Sequence, residues 1–351
     1  MELGVYSFGD IHPDPVHGGR VSPAQRLTDL LERIRLADQV GLGVFGVGEH
    51  HRADYAVSNP GAVLAAAAGQ TSRIALSTAV SVLSTEDPVR LYQQFATIDL
   101  ISGGRAELLA GRGSFIESYP LFGADLAAYD ALFDEKIDLL LRIDAGNPVT
   151  WRGEFRPALE RAVILPRPFE KPKLGAHLDI RVATGGNPES SVRAGLLGVP
   201  INYAIIGGQP ARFAPLVELY RRAVTHSERP EPRAGVDVSV MGFVARQGAA
   251  DTFFPYWLES MRRISSERGF ATPNRASYDA QAGPDGAYFV GHPEQVAERI
   301  VALHRALGHD RQLFQMDLSS VPQSLSLTAI ELLGTEVLPL VRAELAAVPA
   351  G

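Results

Sequence analysis

A chain of 351 residues, 46% hydrophobic and 21% charged, has the apolar content for a large buried core and falls within the range of one α/β barrel. Its net charge of −7 argues against nucleic acid or an anionic membrane surface as a partner, and without a run of about 18 apolar residues no membrane span is expected. The lack of cysteine excludes disulfides, thiolate zinc sites, iron–sulfur clusters and a cysteine nucleophile; with no signal-like start in MELGVYSFGD, a cytoplasmic protein is expected.

The elements repeat one phrase along the chain. Leu27, Leu30, Leu31, Ile34, Ala37 and Val40 recur at helical spacing, Gly41 stops the helix, and GVFGV follows as a strand. The phrase returns at VRAGLLGVPINYAII (192–206) and at IVALHRALGHDRQLFQM (300–316). Strands are predicted at 3–8, 43–48, 74–79, 105–110, 179–184, 200–205, 235–244 and 311–317. Short apolar strands alternating with helices predict a parallel sheet, and this number of strands predicts an α/β (β/α)8 TIM barrel forming one domain over 1–351. Residues 146–178 and 250–293 break the alternation and read as segments inserted on the barrel. A last helix over about 322–346 is expected to close it.

In such a barrel the C-terminal strand ends carry the chemistry. After the second strand stands Glu49-His50-His51-Arg52. Alternating side chains keep both histidines from one metal, and no HExxH spacing is present, so no metal is predicted; the motif is either a surface loop or one imidazole facing the mouth. After the third strand, STAVSVLSTEDPVR offers small residues on which a flat ligand could lie, and Asp87-Pro88 starts a helix. After the fourth, Arg112 sits between glycines and suits a phosphate, or is a surface arginine on a turn. After the fifth, Gly185 and Gly186 precede Asn187, an expected N-cap, with Ser190 one turn on; the N–H groups of that helix start would bind phosphate, or the stretch is a plain βα turn. Together they imply a flat, phosphorylated ligand, held by Arg112 and the 185–190 turn, with His50 near its reactive edge.

The motifs GVGEHHRADYAVSNP, STAVSVLSTEDPVR, GGRAELLAGRGSF, YPLFG and GGNPESS, in this order, resemble the bacterial-luciferase-like family of flavin-dependent oxidoreductases, the luciferase-like monooxygenases. The likeness extends to GTEVLPLVRAEL near the end. It implies a TIM barrel with insertions, using reduced FMN or, in some branches, a deazaflavin. By the same resemblance His50 is the active-site histidine and Glu49 its acidic neighbour. Ala79 and Val80 match the place of a non-prolyl cis peptide beneath the flavin. Arg112 and Ser114 match the flavin-binding turn, with Arg112 near the phosphate, and Gly186, Asn187 and Ser190 match the phosphate turn. The sequence departs from true luciferases at Gly111, where they carry a reactive cysteine. The implied activity is an FMN-dependent monooxygenase that takes reduced flavin from a separate flavin reductase and uses molecular oxygen on a small organic substrate, as a homodimer. The alternatives are a deazaflavin-dependent hydride-transfer enzyme, a non-catalytic flavin-binding protein, and a sugar-phosphate barrel enzyme without flavin.

Overall fold

The computed structural model describes residues 1–113, 115–269 and 271–347. Its centre is a closed barrel of parallel strands: β1 (Glu2–Ser7), β2 (Val44–Val47), β3 (Ala75–Thr78), β4 (Ala106–Gly111), β5 (Asp179–Thr184), β6 (Ile201–Ile205), β7 (Val236–Val244) and β8 (Arg311–Gln315). The register runs Gly4 to Val44, Val44 to Ala75, Leu76 to Ala106, Leu108 to Ile180, Val182 to Ile201, Ile201 to Val236 and Val238 to Gln312. Gln312 also stands opposite Leu3, and this pairing closes the ring. All nine residues of β7 are buried, as expected of a strand covered on both faces.

The helices start by one repeated device. Ser22, Asn59, Asp87 and Asn187 each accept a backbone N–H from the first turn, and each is followed by a proline at the first helical position. Each returning chain is thus fixed in angle before its next strand begins.

The two ends of the barrel differ in kind. At the N-terminal end, buried charges interlock: Arg311 binds Glu107 at 2.7 and 2.9 Å, Arg181 binds Asp237 at 2.7 Å, and Arg233 binds Asp179 at 2.8 Å. They plug that end. The C-terminal end opens into a cavity.

Both inserted segments contain structure that composition did not announce. Residues 146–178 hold an antiparallel hairpin, Val149–Trp151 with Leu159–Ala162. Within 250–293, the helix Ala249–Arg268 lies over the mouth, then Arg275–Ala282 forms a second helix and Phe289–Gly291 pairs with the end of β7. The helix that leads back to β8 is Pro293–Leu307, so the segment is an insertion whose first helix lines the cavity.

The closing helix runs from Gln323 to Ala346 through a π turn at Leu333–Val337. By length and mean hydropathy of 1.4 alone it is long and apolar enough to cross a membrane, although Ser, Thr and Glu interrupt its apolar run. Half of that stretch is buried within the fold, where Ile330, Leu333 and Val337 join the core.

Candidate active site

The C-terminal mouth of the barrel encloses a cavity of about 550 Å³, within the range of about 300–1,000 Å³ that holds small ligands and cofactors. Its lining draws on the ends of β1 to β8 and on the helix Ala249–Arg268. His50, Glu49, Ala79, Val80, Arg112 and Gly185 all line it.

One wall is the break after β3. The Ala79–Val80 peptide is cis, and the chain resumes at Ser81–Val82, which pairs with Ala110 and Gly111 of β4. Thr78 replaces the lost ladder: its hydroxyl donates to the Leu109 carbonyl at 2.8 Å and accepts the Leu109 N–H at 3.0 Å. Glycines flank the break on both sides. A Cβ on Gly46 would stand 2.9 Å from Ala79 Cβ, and one on Gly111 would stand 2.6 Å from Val80 Cγ2. The departure at Gly111 thus has a steric cause, because Val80 fills the space that a larger residue would need.

The residues that the resemblance assigns to a phosphate stand together at one end of the cavity. Arg112 Nη2 donates to Ser190 Oγ at 3.1 Å. The Arg112 guanidinium lies 5.0 Å from the Tyr129 ring centre and forms an ion pair with Asp130. Tyr119 and Tyr129 donate their hydroxyls to the carbonyls of Arg112 and Gly113 at 3.1 and 2.9 Å, which fixes the turn. Gly186 takes φ +101°, and Asn187 caps the helix Pro188–Leu196 by accepting from Glu189 N at 2.7 Å and Ser190 N at 3.4 Å. The expected N–H donors are therefore engaged by the cap, which leaves the Ser190 hydroxyl and Arg112 facing one another. Arg193, one turn beyond Ser190, pairs with Asp134 at 2.8 Å and reaches Asp130 of the cluster at 4.0 Å; it was not singled out in the sequence. Ser114 lies outside the described residues.

His50 sits in an aromatic box. Ring centres of Phe8, Tyr55 and Phe115 stand 4.7, 4.3 and 5.1 Å from its own. The ring opens partly to the cavity, while Nε2 is buried and has no partner among the described residues. Burial, and then the Arg52 charge, push its pKa down to about 3, so the imidazole is neutral near pH 7. Glu49 does not touch His50: it accepts the Val82 N–H at 2.9 Å and meets His51 Nε2 at 2.9 Å. Arg52 binds Asp54 at 3.1 Å, Glu117 at 2.6 Å and Glu267 at 2.5 Å, and so ties two loops to the helix over the mouth.

The model of the luciferase-like monooxygenase family matches residues 1–310. The chain belongs to that family. Among curated relatives, the uncharacterized protein y4wF of Sinorhizobium fredii is 30% identical over 185 residues, 52% of each chain. The chain spans about half the length of the curated relatives it matches first. The monooxygenase RslO1 of Streptomyces bottropensis superposes with a TM-score of 0.79 at 23% identity, over 97% of this chain and 99% of its own. The oxygenating constituent of 3,6-diketocamphane monooxygenase from Pseudomonas putida, solved with FMN, gives 0.74 at 20%, over 97% and 98%. An F420-dependent alcohol dehydrogenase shares the fold as well. These likenesses speak for the barrel. In this luciferase-like barrel the residues fit a flavin: an apolar wall of Val80 and Leu109, a cavity of cofactor size and an Arg–Ser pair at one end. Among the described residues no group of His, Asp and Glu could hold a metal ion.

Proposed function

We propose that the protein is the oxygenase of a two-component flavin monooxygenase, one barrel domain over 1–351 working in the cytoplasm as a homodimer. It takes reduced FMN from a separate reductase and uses molecular oxygen to oxidise a small, largely apolar organic substrate. The observation that carries this reading is the Arg112–Ser190 contact of 3.1 Å at one end of a cavity whose wall is Ala79–Val80. When bound, reduced FMN supplies the electrons of the oxidation.

The residues of the chain do the rest. Arg112 and Ser190 grip the phosphate. Asp130 yields its place on Arg112 at little cost, because an exposed ion pair contributes roughly 0–1 kcal/mol. Ala79, Val80 and Leu109 support the ring. His50, neutral and with Nε2 unpaired, offers a hydrogen bond at the reactive edge rather than a charge. Glu49 positions the strand ends through Val82 and His51. Phe8, Tyr55 and Phe115 keep water out. Arg52 is committed to three carboxylates, which leaves it no duty toward the acidic tail of a deazaflavin. The homodimer is supported by apolar side chains left exposed on the outer surface, Leu100 and Ile101 among them.

Absorbance titration with FMN and with a deazaflavin, followed by oxygen uptake on reduction, tests the reading. FMN binding with oxygen uptake is expected. Preference for the deazaflavin without oxygen uptake would replace it with hydride transfer, and light scattering checks the dimer.

A further inference from the structure

We propose that Asp10 keeps a proton beside Asp317 and uses it to donate a hydrogen bond to an oxygen of the substrate. This rests on the monooxygenase reading of the cavity and adds a substrate class: apolar molecules carrying a carbonyl or another accepting oxygen.

Asp10 follows β1 and Asp317 follows β8, two strands that pair side by side. Both carboxyls are buried, and Asp10 lines the cavity. Among the described residues no cation pairs with Asp10, and the Arg26 charge lowers its acid less than burial and Asp317 raise it. Arg33 Nη1 donates to Asp317 Oδ2 at 2.6 Å, and the Ser7 hydroxyl donates to the same oxygen. Arg26 faces Asp29 at 3.8 Å. Asp10 has no ion pair among the described residues and accepts only the Ser319 N–H, at 2.7 Å on Oδ2. A buried carboxylate beside a second carboxylate, with no cation of its own, is unstable as an anion. Burial, and then the Asp317 charge, push the Asp10 acid up to about 8.

Because Oδ2 accepts an N–H, the proton belongs on Oδ1. That oxygen has no partner among the described residues, nor has Asp317 Oδ1. A buried O–H without an acceptor is costly, and a ligand oxygen in the cavity removes that cost. The placement suits a substrate. Asp10 forms a β-bridge with Tyr55, whose ring stands 4.3 Å from that of His50. Gln315 Nε2, also buried and on a lining residue, is a second donor without an acceptor. Ser319 holds φ +60°, a conformation rare outside glycine, and from it presents its amide to Asp10.

The groups facing Asp10 are Asp317 after β8, Arg26 and Arg33 on the first helix, Asp54 and Tyr55 after β2, Tyr6 on β1, and His12 two residues on. Burial holds both tyrosines far above the usual phenol range and pushes His12 down to about 4, so none of these three titrates together with Asp10.

Two measurements test the proposal. Infrared difference spectra between about pH 6 and about pH 10 are expected to show the carbonyl band of a buried acid lost on alkalinisation in the wild type and absent in Asp10→Asn. Calorimetry then compares acetophenone with ethylbenzene, the same skeleton with and without oxygen. The wild type and Asp10→Asn, whose amide still donates, are expected to prefer acetophenone by about tenfold. Asp10→Ala is expected to lose that preference, and the wild type to lose it at alkaline pH while Asp10→Asn keeps it. A wild type with no such band or no such preference overturns the proposal. So does a preference that survives Asp10→Ala, or an Asp10→Ala defect confined to FMN affinity, which would assign the donor to the flavin. Failure of the wild type to bind FMN would sink the monooxygenase reading alone, because the acid band and the ketone preference are read without flavin.

Discussion

Arg112 Nη2 and Ser190 Oγ meet at 3.1 Å across 78 residues of chain. One comes from the end of β4, the other from the helix after β5, and the parallel pairing of those two strands brings them together. Replacing Ser190 with Ala is expected to weaken FMN binding by about 3–10-fold, and replacing Arg112 with Ala by about 10–100-fold, the scale of neutral and charged hydrogen bonds. Arg112→Lys falls between them, because lysine keeps the charge and loses the fork. Asp130→Ala should tighten binding slightly by removing a competing carboxylate. Quenching of flavin fluorescence on titration reads all four.

The Gly111–Val80 contact makes a steric prediction. With a Cβ at 111 only 2.6 Å from Val80 Cγ2, Gly111→Ala is expected to cost about 1–3 kcal/mol of stability and to weaken FMN binding by displacing Val80. Adding Val80→Ala should recover much of both losses. Thermal unfolding and flavin titration of the two single variants and the double variant give the coupling. Strict additivity would show that the two side chains do not compete for that space.

The barrel was legible because its signals are local. Apolar runs, N-cap–proline starts and glycine stops repeat along the chain, and each strand can be read from about ten residues. His50 and Arg112 were legible because chemistry-bearing residues at strand ends stand out against apolar neighbours. Asp10 lies at such an end too, after β1 in SFGD, but a lone acid beside a glycine reads as a turn until Asp317, 307 positions away, is placed beside it. Phe8, Tyr55 and Phe115 read as ordinary core residues, and only packing shows that they surround an imidazole. The capping of the phosphate helix by Asn187 was foreseen, but its consequence was not: the cap occupies the very N–H groups assigned to the ligand.

The charged plug at the far end of the barrel sets stability apart from function. Arg311→Met would leave Glu107 without its bidentate partner and Asp237, whose acid burial already raises, with one cation fewer. Breaking a buried pair from one side costs about 3–5 kcal/mol. Urea unfolding should show that loss, while FMN affinity, set at the opposite mouth, should change little at temperatures where the variant is folded. A parallel fall in affinity would mean that the two ends are coupled.

The buried histidines give the protein an acid-labile core. Burial pushes His12 down to about 4, and His50 and His309 to about 3. Unfolded, each protonates near about pH 6.5, so between that pH and about 4 the unfolded chain binds more protons than the folded one. Stability therefore falls as pH falls through this window. Asp10 acts in the opposite sense, since its acid is raised to about 8 in the fold and it keeps a proton that the unfolded chain has released. Each histidine contributes up to about 1.4 kcal/mol per pH unit near pH 5, and Asp10 with the other raised acids, Glu86, Asp134 and Asp237, subtracts from their sum. Urea unfolding across this range should show the net slope, and His50→Gln should reduce the slope by roughly 1.4 kcal/mol per pH unit. Above the histidine window Asp10 dominates: stability should decline from about pH 7 toward about pH 8 in the wild type and show no such decline in Asp10→Asn. If Asp10→Asn declines as steeply as the wild type, the proton assigned to Asp10 is not there.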